Sequence, residues 1–131
     1  MTAEKGESEA KRVQLFEERG DTSRFVDAEI KENGDLVVSG QDIGRAPLEW
    51  WGDSDYEFWA TVASKDKHRI LEVLSKASRE AGTSFPTLPQ DEDTALLALL
   101  KHFYCGHFHA VDEFEDFLQS QGIPFEGMTW A

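Results

Sequence analysis

A strand–turn–strand pattern near residue 33 restricts the fold of this chain more than any other sequence feature. Apolar and polar residues alternate over residues 24–31, as they do in a strand that buries one of its faces. Asn33-Gly34 follows at once, and this pair is typical of a type I′ turn, whose central residues both need positive φ. Residues 35–39 then predict the returning strand. The sequence therefore predicts an antiparallel hairpin.

The rest of the chain adds strands on both sides of a helical region. Residue patterns predict three further strands, at residues 12–18, 55–63 and 125–130. The helical spacing of apolar residues predicts three helices, at residues 64–81, 91–104 and 110–121. Ser64 and either Asp91 or Asp93 are the expected N-caps of the first two helices.

This order of strands, helices and a final strand predicts the class of fold. It is typical of an α+β domain, with an antiparallel sheet of about four to five strands and about three helices packed on one face. We assign residues 11–131 to this single domain. Residues 1–10 are small, polar and charged, and we predict that they form a disordered tail.

The chain carries a strong negative charge. Its formal net charge is −13, and residues 21–63 alone contain ten acidic and three basic residues. Such a field repels phosphate backbones, which argues against nucleic-acid binding, and it would steer association with a basic protein. Acidic charge also keeps a small domain soluble, and this simpler interpretation stays open.

Cysteine usage and hydropathy indicate a location. Cys105 is the single cysteine, which excludes an internal disulfide and fits a reducing compartment. The first residues contain no apolar segment typical of a signal peptide, and the longest apolar run, residues 95–100, is too short to cross a membrane. We therefore expect a cytoplasmic protein that does not bind membranes. The sequence leaves the oligomeric state open.

Residues 40–62 form the most distinctive stretch, because they combine three of the four tryptophans with several carboxylates. We predict an irregular loop over residues 40–52 that leads into the strand at residues 55–63. Adjacent Trp50 and Trp51 cannot both enter one core from a regular strand, so at least one should stay partly exposed. Aromatic side chains rimmed by carboxylates are typical of a surface that binds a basic partner. The predicted partner-binding residues are Asp42, Glu49, Trp50, Trp51, Asp53, Asp55 and Glu57.

Other interpretations of this stretch stay open. Asp53-Ser54-Asp55 is ordinary turn chemistry before a strand, and both tryptophans could cover an edge of the sheet. Paired carboxylates can also bind a hard cation or act as acid and base. The segment nevertheless lacks the ligand spacing of an EF-hand loop.

A His/Cys group provides an alternative site. It consists of His102, Cys105, His107 and His109, with Asp112 nearby in the sequence. Imidazole and thiolate suit zinc or copper, although the histidines could simply end one helix and begin the next. A nucleophilic Cys105 would need an orienting third residue, and none is recognisable. Since the phosphate-loop, G-x-S-x-G and H-E-x-x-H motifs are all absent, we expect a non-enzymatic protein without a cofactor.

Three stretches carry a resemblance to a family. GQDIG, WWGDSDYEFW and GIPFEGMTW resemble a group of small bacterial proteins of unassigned activity, which share a GDSDYE(F/Y)W signature. The resemblance covers about residues 25–130 and implies no catalytic residues. Many small, acidic, single-domain bacterial proteins are immunity partners of basic toxins, which is an analogy at the level of general character. The sequence thus predicts an acidic protein-binding module, for which an immunity or antitoxin type is one form, with a metal-binding protein as the alternative.

Overall fold

The computed structural model describes residues 11–45, 49, 55–82 and 91–130. The predicted tail at residues 1–10 lies outside the described residues. The described chain contains five strands, which are β1 (Arg12–Glu18), β2 (Thr22–Ile30), β3 (Leu36–Gly44), β4 (Asp55–Val62) and β5 (Glu126–Trp130). Its three α-helices are α1 (Lys67–Glu80), α2 (Glu92–Tyr104) and α3 (Ala110–Gln121).

The five strands form one antiparallel sheet in the order β1-β2-β3-β4-β5. The three helices follow β4 in the chain, and β5 then pairs with the remaining side of β4. Helix α2 contacts β1 and β2, and α3 contacts β3 and β4. The predicted α+β fold is therefore confirmed, with five strands and three helices.

Alternate residues of the central strands form one layer of the core. Within β2, Val26, Ala28 and Ile30 are buried, and the residues between them are only half-buried. The helices contribute the other layer, and α2 is buried most extensively, as its apolar sequence predicts. Fully buried large side chains from both layers include Leu36, Val38, Val62, Ile70, Leu96, Leu99, Leu100, Phe114 and Leu118. No helix in the described part of the chain is long and apolar enough to cross a membrane.

The β2–β3 connection is a hairpin, but its turn differs from the predicted type I′. Gly34 N–H donates to the Lys31 carbonyl at 2.9 Å, and Lys31 N–H donates to the Asp35 carbonyl at 2.8 Å. Gly34 has φ 92°, whereas Asn33 is not among the residues with positive φ. Asn33 instead accepts the backbone N–H of Asp35 at its Oδ1, at 3.0 Å. Its side chain supports the turn, and glycine alone adopts the left-handed backbone.

Strand β3 runs to Gly44, so the prediction of a loop starting at residue 40 was wrong. Gly40 lies opposite Phe58 of β4, and a Cβ at Gly40 would lie 2.3 Å from Cε2 of that ring. The glycine therefore makes room for an aromatic ring on the neighbouring strand and does not end β3.

The helix starts show one confirmed N-cap and one wrong prediction. Asp91 caps α2, since its Oδ2 accepts from the N–H and the hydroxyl of Thr94 at 3.2 and 2.6 Å. Ser64 begins a 3-10 turn instead of capping α1. Its N–H donates to Oδ1 of Asp35 at 2.9 Å, which ties the start of the helical region to the β2–β3 hairpin.

His68 on α1 forms a pH-dependent contact with two carboxylates. Its Nδ1 lies 3.3 Å from Oε1 of Glu92, and its Nε2 lies 3.4 Å from Oε2 of Glu72. The hydrogen bond to Glu92, and then the negative charges of both carboxylates, raise the pKa of His68. Because the folded-state pKa is raised, this contact stabilises the fold fully below the unfolded-state pKa of about 6.5. The stabilisation disappears as the pH rises through the folded-state value.

We expect the substitution His68→Gln to lower the melting temperature more at about pH 5.5 than at about pH 8.5, because a larger fraction of the imidazole is charged at the lower pH. Circular dichroism at both values measures this difference. A second variant, Glu92→Gln, removes the largest cause of the shift and should return the pKa of His68 toward its ordinary value in an NMR titration. An unchanged pKa in Glu92→Gln would show that the contact does not form in solution.

Candidate functional site

Strand β4 lies next to the edge strand β5, and its side chains point alternately to the two faces of the sheet. One face points toward the helices, and the other belongs to the opposite side of the sheet, which we call the open face. Seven residues of β4 and β5 share this open face by their alternation and register; Thr61 is one of them, and we call the other six the β4–β5 patch. These six are Asp55, Glu57, Trp59, Glu126, Met128 and Trp130.

The register of β5 on β4 interleaves acidic and apolar side chains in the β4–β5 patch. Glu57 lies opposite Trp130, and Trp59 lies opposite Met128. Met128 and Trp130 are 52% and 59% exposed, so both leave a large apolar side chain in contact with solvent. Opposite residues on adjacent strands are close neighbours. The patch therefore offers apolar surface and negative charge together.

Carboxylates at the other end of the open face have cationic partners. Asp27 of β2 accepts from the Arg12 guanidinium at 2.8 Å. Glu29 of the same strand lies 3.3 Å from Nζ of Lys31. These ion pairs reduce the negative potential near β1 and β2.

Two of the three carboxylates of the β4–β5 patch lack such compensation from a cationic side chain of the described residues. Within the described residues, Glu57 and Glu126 form no ion pair. Asp55 accepts a hydrogen bond from the neutral side chain of Gln41 at 2.9 Å. The single Lys or Arg outside the described residues is Lys5. The uncompensated charge of the open face is thus concentrated beside the exposed aromatic and Met side chains.

The structure brings only some of the predicted partner-binding residues together. Asp55 and Glu57 lie side by side in the patch, whereas Asp42 lies on the helix-covered face of the sheet. Glu49 is exposed and its Oε2 accepts from Nε of Arg45 at 3.1 Å. The other predicted residues lie outside the described residues, and they are Trp50, Trp51 and Asp53.

Sequence reasoning did not assign Trp59 of β4 to the site, and it missed three residues of β5, which are Glu126, Met128 and Trp130. The available signal was the alternation within residues 126–130, which places these three side chains on one face of a strand. The pairing of that strand with β4 carries no sequence signal of its own, because it depends on the strand order.

Asp42 belongs to a mostly buried ion pair. It lies directly opposite Arg24 in the register of β2 and β3. Nε and Nη2 of Arg24 donate to Oδ1 and Oδ2 of Asp42, each at 2.6 Å. Nη1 donates to the Phe108 carbonyl at 3.0 Å, and the guanidinium lies 3.8 Å from the Phe108 ring centroid and 4.9 Å from that of Phe58. The bidentate geometry neutralises Asp42 and fixes the segment before α3 against the sheet.

Beside this ion pair, a cleft of about 460 Å³ opens between α3 and the helix-covered side of β4 and β5. Arg24 lies at one end of it. Aromatic rings and polar groups of β4, α3, β5 and the residue before β5 line the cleft, among them Tyr56, Phe58, Asp112, Glu115, Phe125 and Thr129. The strands and α3 position these side chains, so the cleft is part of the folded framework.

The His/Cys group does not form a single cluster. Nδ1 of His107 lies 2.8 Å from Oε1 of Glu113, and Nδ1 of His109 lies 3.7 Å from Oδ2 of Asp112. Cys105 is an exposed free thiol. The described residues contain no group of three or more His, Cys, Asp or Glu side chains that could hold a metal ion. The imidazoles of His107 and His109 lie beside separate carboxylates.

Comparisons with known proteins supply no relative. Searches against family models, curated proteins and solved structures found no match to this chain. The resemblance of its three sequence stretches to a bacterial family accordingly stays a prediction. The geometry of the open face and of the cleft provides the basis for proposing a function.

Proposed function

We propose that this protein binds a basic protein through the β4–β5 patch. One observation carries the proposal: Met128 and Trp130 are more than half exposed and lie beside Glu57 and Glu126, which form no ion pair within the described chain. Exposed aromatic and Met side chains are typical anchors of protein interfaces. A cationic partner would neutralise Glu57 and Glu126 while covering the apolar surface between them.

The net charge supports the same kind of partner. A chain of −13 attracts a basic protein over a distance set by the ionic strength and repels copies of itself. The predicted residues Glu49, Trp50, Trp51 and Asp53 precede Asp55 in the sequence, and we propose that they extend the binding surface. Asp42 has no direct role in this proposal, since Arg24 engages both of its carboxylate oxygens.

The finer form of the proposal is an immunity or antitoxin type of protein, which acts in the cytoplasm without catalysis. An acidic surface with apolar anchors suits the blocking of a basic protein, because charge accelerates association and anchors slow dissociation. Co-expression with the captured partner tests this form. Growth that the partner alone arrests should be restored by the wild-type chain and not by Trp130→Ala.

The association experiment begins with affinity capture of proteins from lysate at low and high salt, identified by mass spectrometry. The purified basic partner then serves as the probe in stopped-flow measurements. We expect the double variant Asp55→Asn/Glu57→Gln to associate about five- to tenfold more slowly at low salt, with a weaker salt dependence, because it removes steering charge from the interface. Trp130→Ala should mainly accelerate dissociation.

A matched control separates local charge from total charge. Glu80→Gln/Asp116→Asn also removes two negative charges, from exposed positions on α1 and α3. This control should change the association rate less than about twofold. Equal slowing by both double variants would mean that net charge acts alone, and an unchanged dissociation rate in Trp130→Ala would remove the patch as the binding surface.

A further inference from the structure

The cleft beside α3 contains a carboxylate without a partner. Glu115 is half-buried, and within the described residues it forms no hydrogen bond or ion pair. Its Oε2 would lie 2.7 Å from a Cβ placed on Gly127, so the absence of a side chain there lets the carboxylate lie against β5. Burial raises the pKa of Glu115, and the charges of Asp112 and Asp116 raise it further. A positive charge in the cleft would offset both effects.

The cationic residues that line the cleft do not supply that charge. The guanidinium of Arg24 already donates to both oxygens of Asp42 and to the Phe108 carbonyl. Nδ1 of His109 lies 3.7 Å from Asp112. An anionic ligand would meet two carboxylates and an engaged arginine, so the cleft favours a cation.

The walls of the cleft restrict the shape of such a cation. Tyr56, Phe58 and Phe125 contribute aromatic surface, which suits an alkyl chain and attracts a positive charge over the ring faces. The volume of about 460 Å³ lies within the usual range of small-molecule sites, about 300–1,000 Å³. An extended alkyl chain that ends in one charged group matches this combination of walls and a single unpaired carboxylate.

We propose that the cleft binds an alkylammonium or alkylguanidinium group, with Glu115 as the counter-ion and the rings of Tyr56 and Phe125 along the alkyl chain. The group could belong to a free amine or to a lysine or arginine side chain. The cleft and the β4–β5 patch share Trp59 and Met128. The proposal nevertheless does not depend on partner binding by the patch, because Glu115 and the rings of Tyr56 and Phe125 are not part of it.

NMR titrations of the full chain test the proposal with defined probes. The cationic probes are butylamine, butylguanidine and Nα-acetyl-lysine N-methylamide, and the uncharged probe is Nα-acetyl-norleucine N-methylamide. We expect saturable shifts at Glu115 and Phe125 with the cationic probes only, together with a lower pKa of Glu115 in the bound state. Glu115→Gln should weaken binding about tenfold, because the charge-assisted bond is lost.

The control variant is Asp116→Asn, which removes a charge from the same helix at a position outside the cleft lining. It should weaken binding less than about threefold. The double variant Asp55→Asn/Glu57→Gln should leave the dissociation constants of the cationic probes unchanged. A loss of ligand binding by the cleft can therefore be distinguished from a loss of partner binding by the β4–β5 patch.

Three results would overturn the proposal: equal binding of the norleucine derivative, wild-type affinity in Glu115→Gln, or no saturable shift with any cationic probe. Binding of the simple amines as tight as that of the lysine derivative would support a free amine as the ligand. Tighter binding of the lysine derivative would support a protein side chain.

Discussion

Replacing Arg24 with methionine should lower the free energy of unfolding by about 3 kcal/mol, because it leaves the carboxylate of Asp42 mostly buried without its counter-ion. Both side chains are 15% exposed, so water compensates the lost partner only weakly. The variant also loses the hydrogen bond to the Phe108 carbonyl and the guanidinium contact with the Phe108 ring. Urea unfolding followed by circular dichroism measures the change.

Two further variants test whether burial of the Arg24–Asp42 pair causes the large loss of stability expected for Arg24→Met. Arg12→Met breaks an ion pair of the same residue types on the open face, where the arginine side chain is 52% exposed, and should cost less than about 1 kcal/mol. The double variant Arg24→Met/Asp42→Leu removes both charges and should recover most of the loss. If Arg24→Met and Arg12→Met had equal effects, the Arg24–Asp42 pair would be as hydrated as a surface pair.

The helical part of the fold could be predicted closely because its signals are local. The third helix was predicted at residues 110–121, which are the bounds of α3. Its apolar spacing identifies the buried stripe, and Gly122 ends it with a left-handed φ of 66°. Asp91 was likewise available from the sequence as an N-cap, because it accepts from a residue only three positions later.

The end of β3 was not predictable from local signals. Glycines at positions 40 and 44 are typical of loops, yet both lie in a strand whose neighbours occupy the space of the absent side chains. Because the strand was predicted to end at Ser39, Asp42 was not assigned to a face of the sheet. If the alternation is continued from Val38, Asp42 falls on the helix-covered face, where it lies opposite Arg24 of β2.

The candidate site depends on a long-range pairing, and this limited its prediction. Asp55 and Glu57 could be found from their own strand, but Met128 and Trp130 join them only because β5 returns to β4. Strand order follows from the packing of the helices between these strands, and the sequence does not encode it in a local pattern. The same return of β5 forms one side of the cleft.

Gly44→Ala should lower the free energy of unfolding by about 3 kcal/mol, a loss as large as the one expected for Arg24→Met. Gly44 has φ 131°, a conformation that residues with a Cβ rarely adopt. The added Cβ would lie 2.1 Å from the Asp21 carbonyl oxygen and 3.0 Å from Cα of Thr22. That carbonyl accepts from Arg45 N–H at 3.0 Å, so its displacement also strains the hydrogen bond.

The matched control is Gly82→Ala, which separates backbone strain from the steric clash. Gly82 also has a positive φ, 72°, but within the described chain no atom lies within 4 Å of the position that an added Cβ would occupy. Its cost should be about 1 kcal/mol, the expected penalty of the left-handed backbone alone. Urea unfolding of both variants measures the difference, which we attribute to the contact with Asp21. If Gly44→Ala and Gly82→Ala lost the same free energy of unfolding, the β2–β3 ladder would have to relax around the new methyl group. Strand β3 would then not need glycine at its last position for steric reasons.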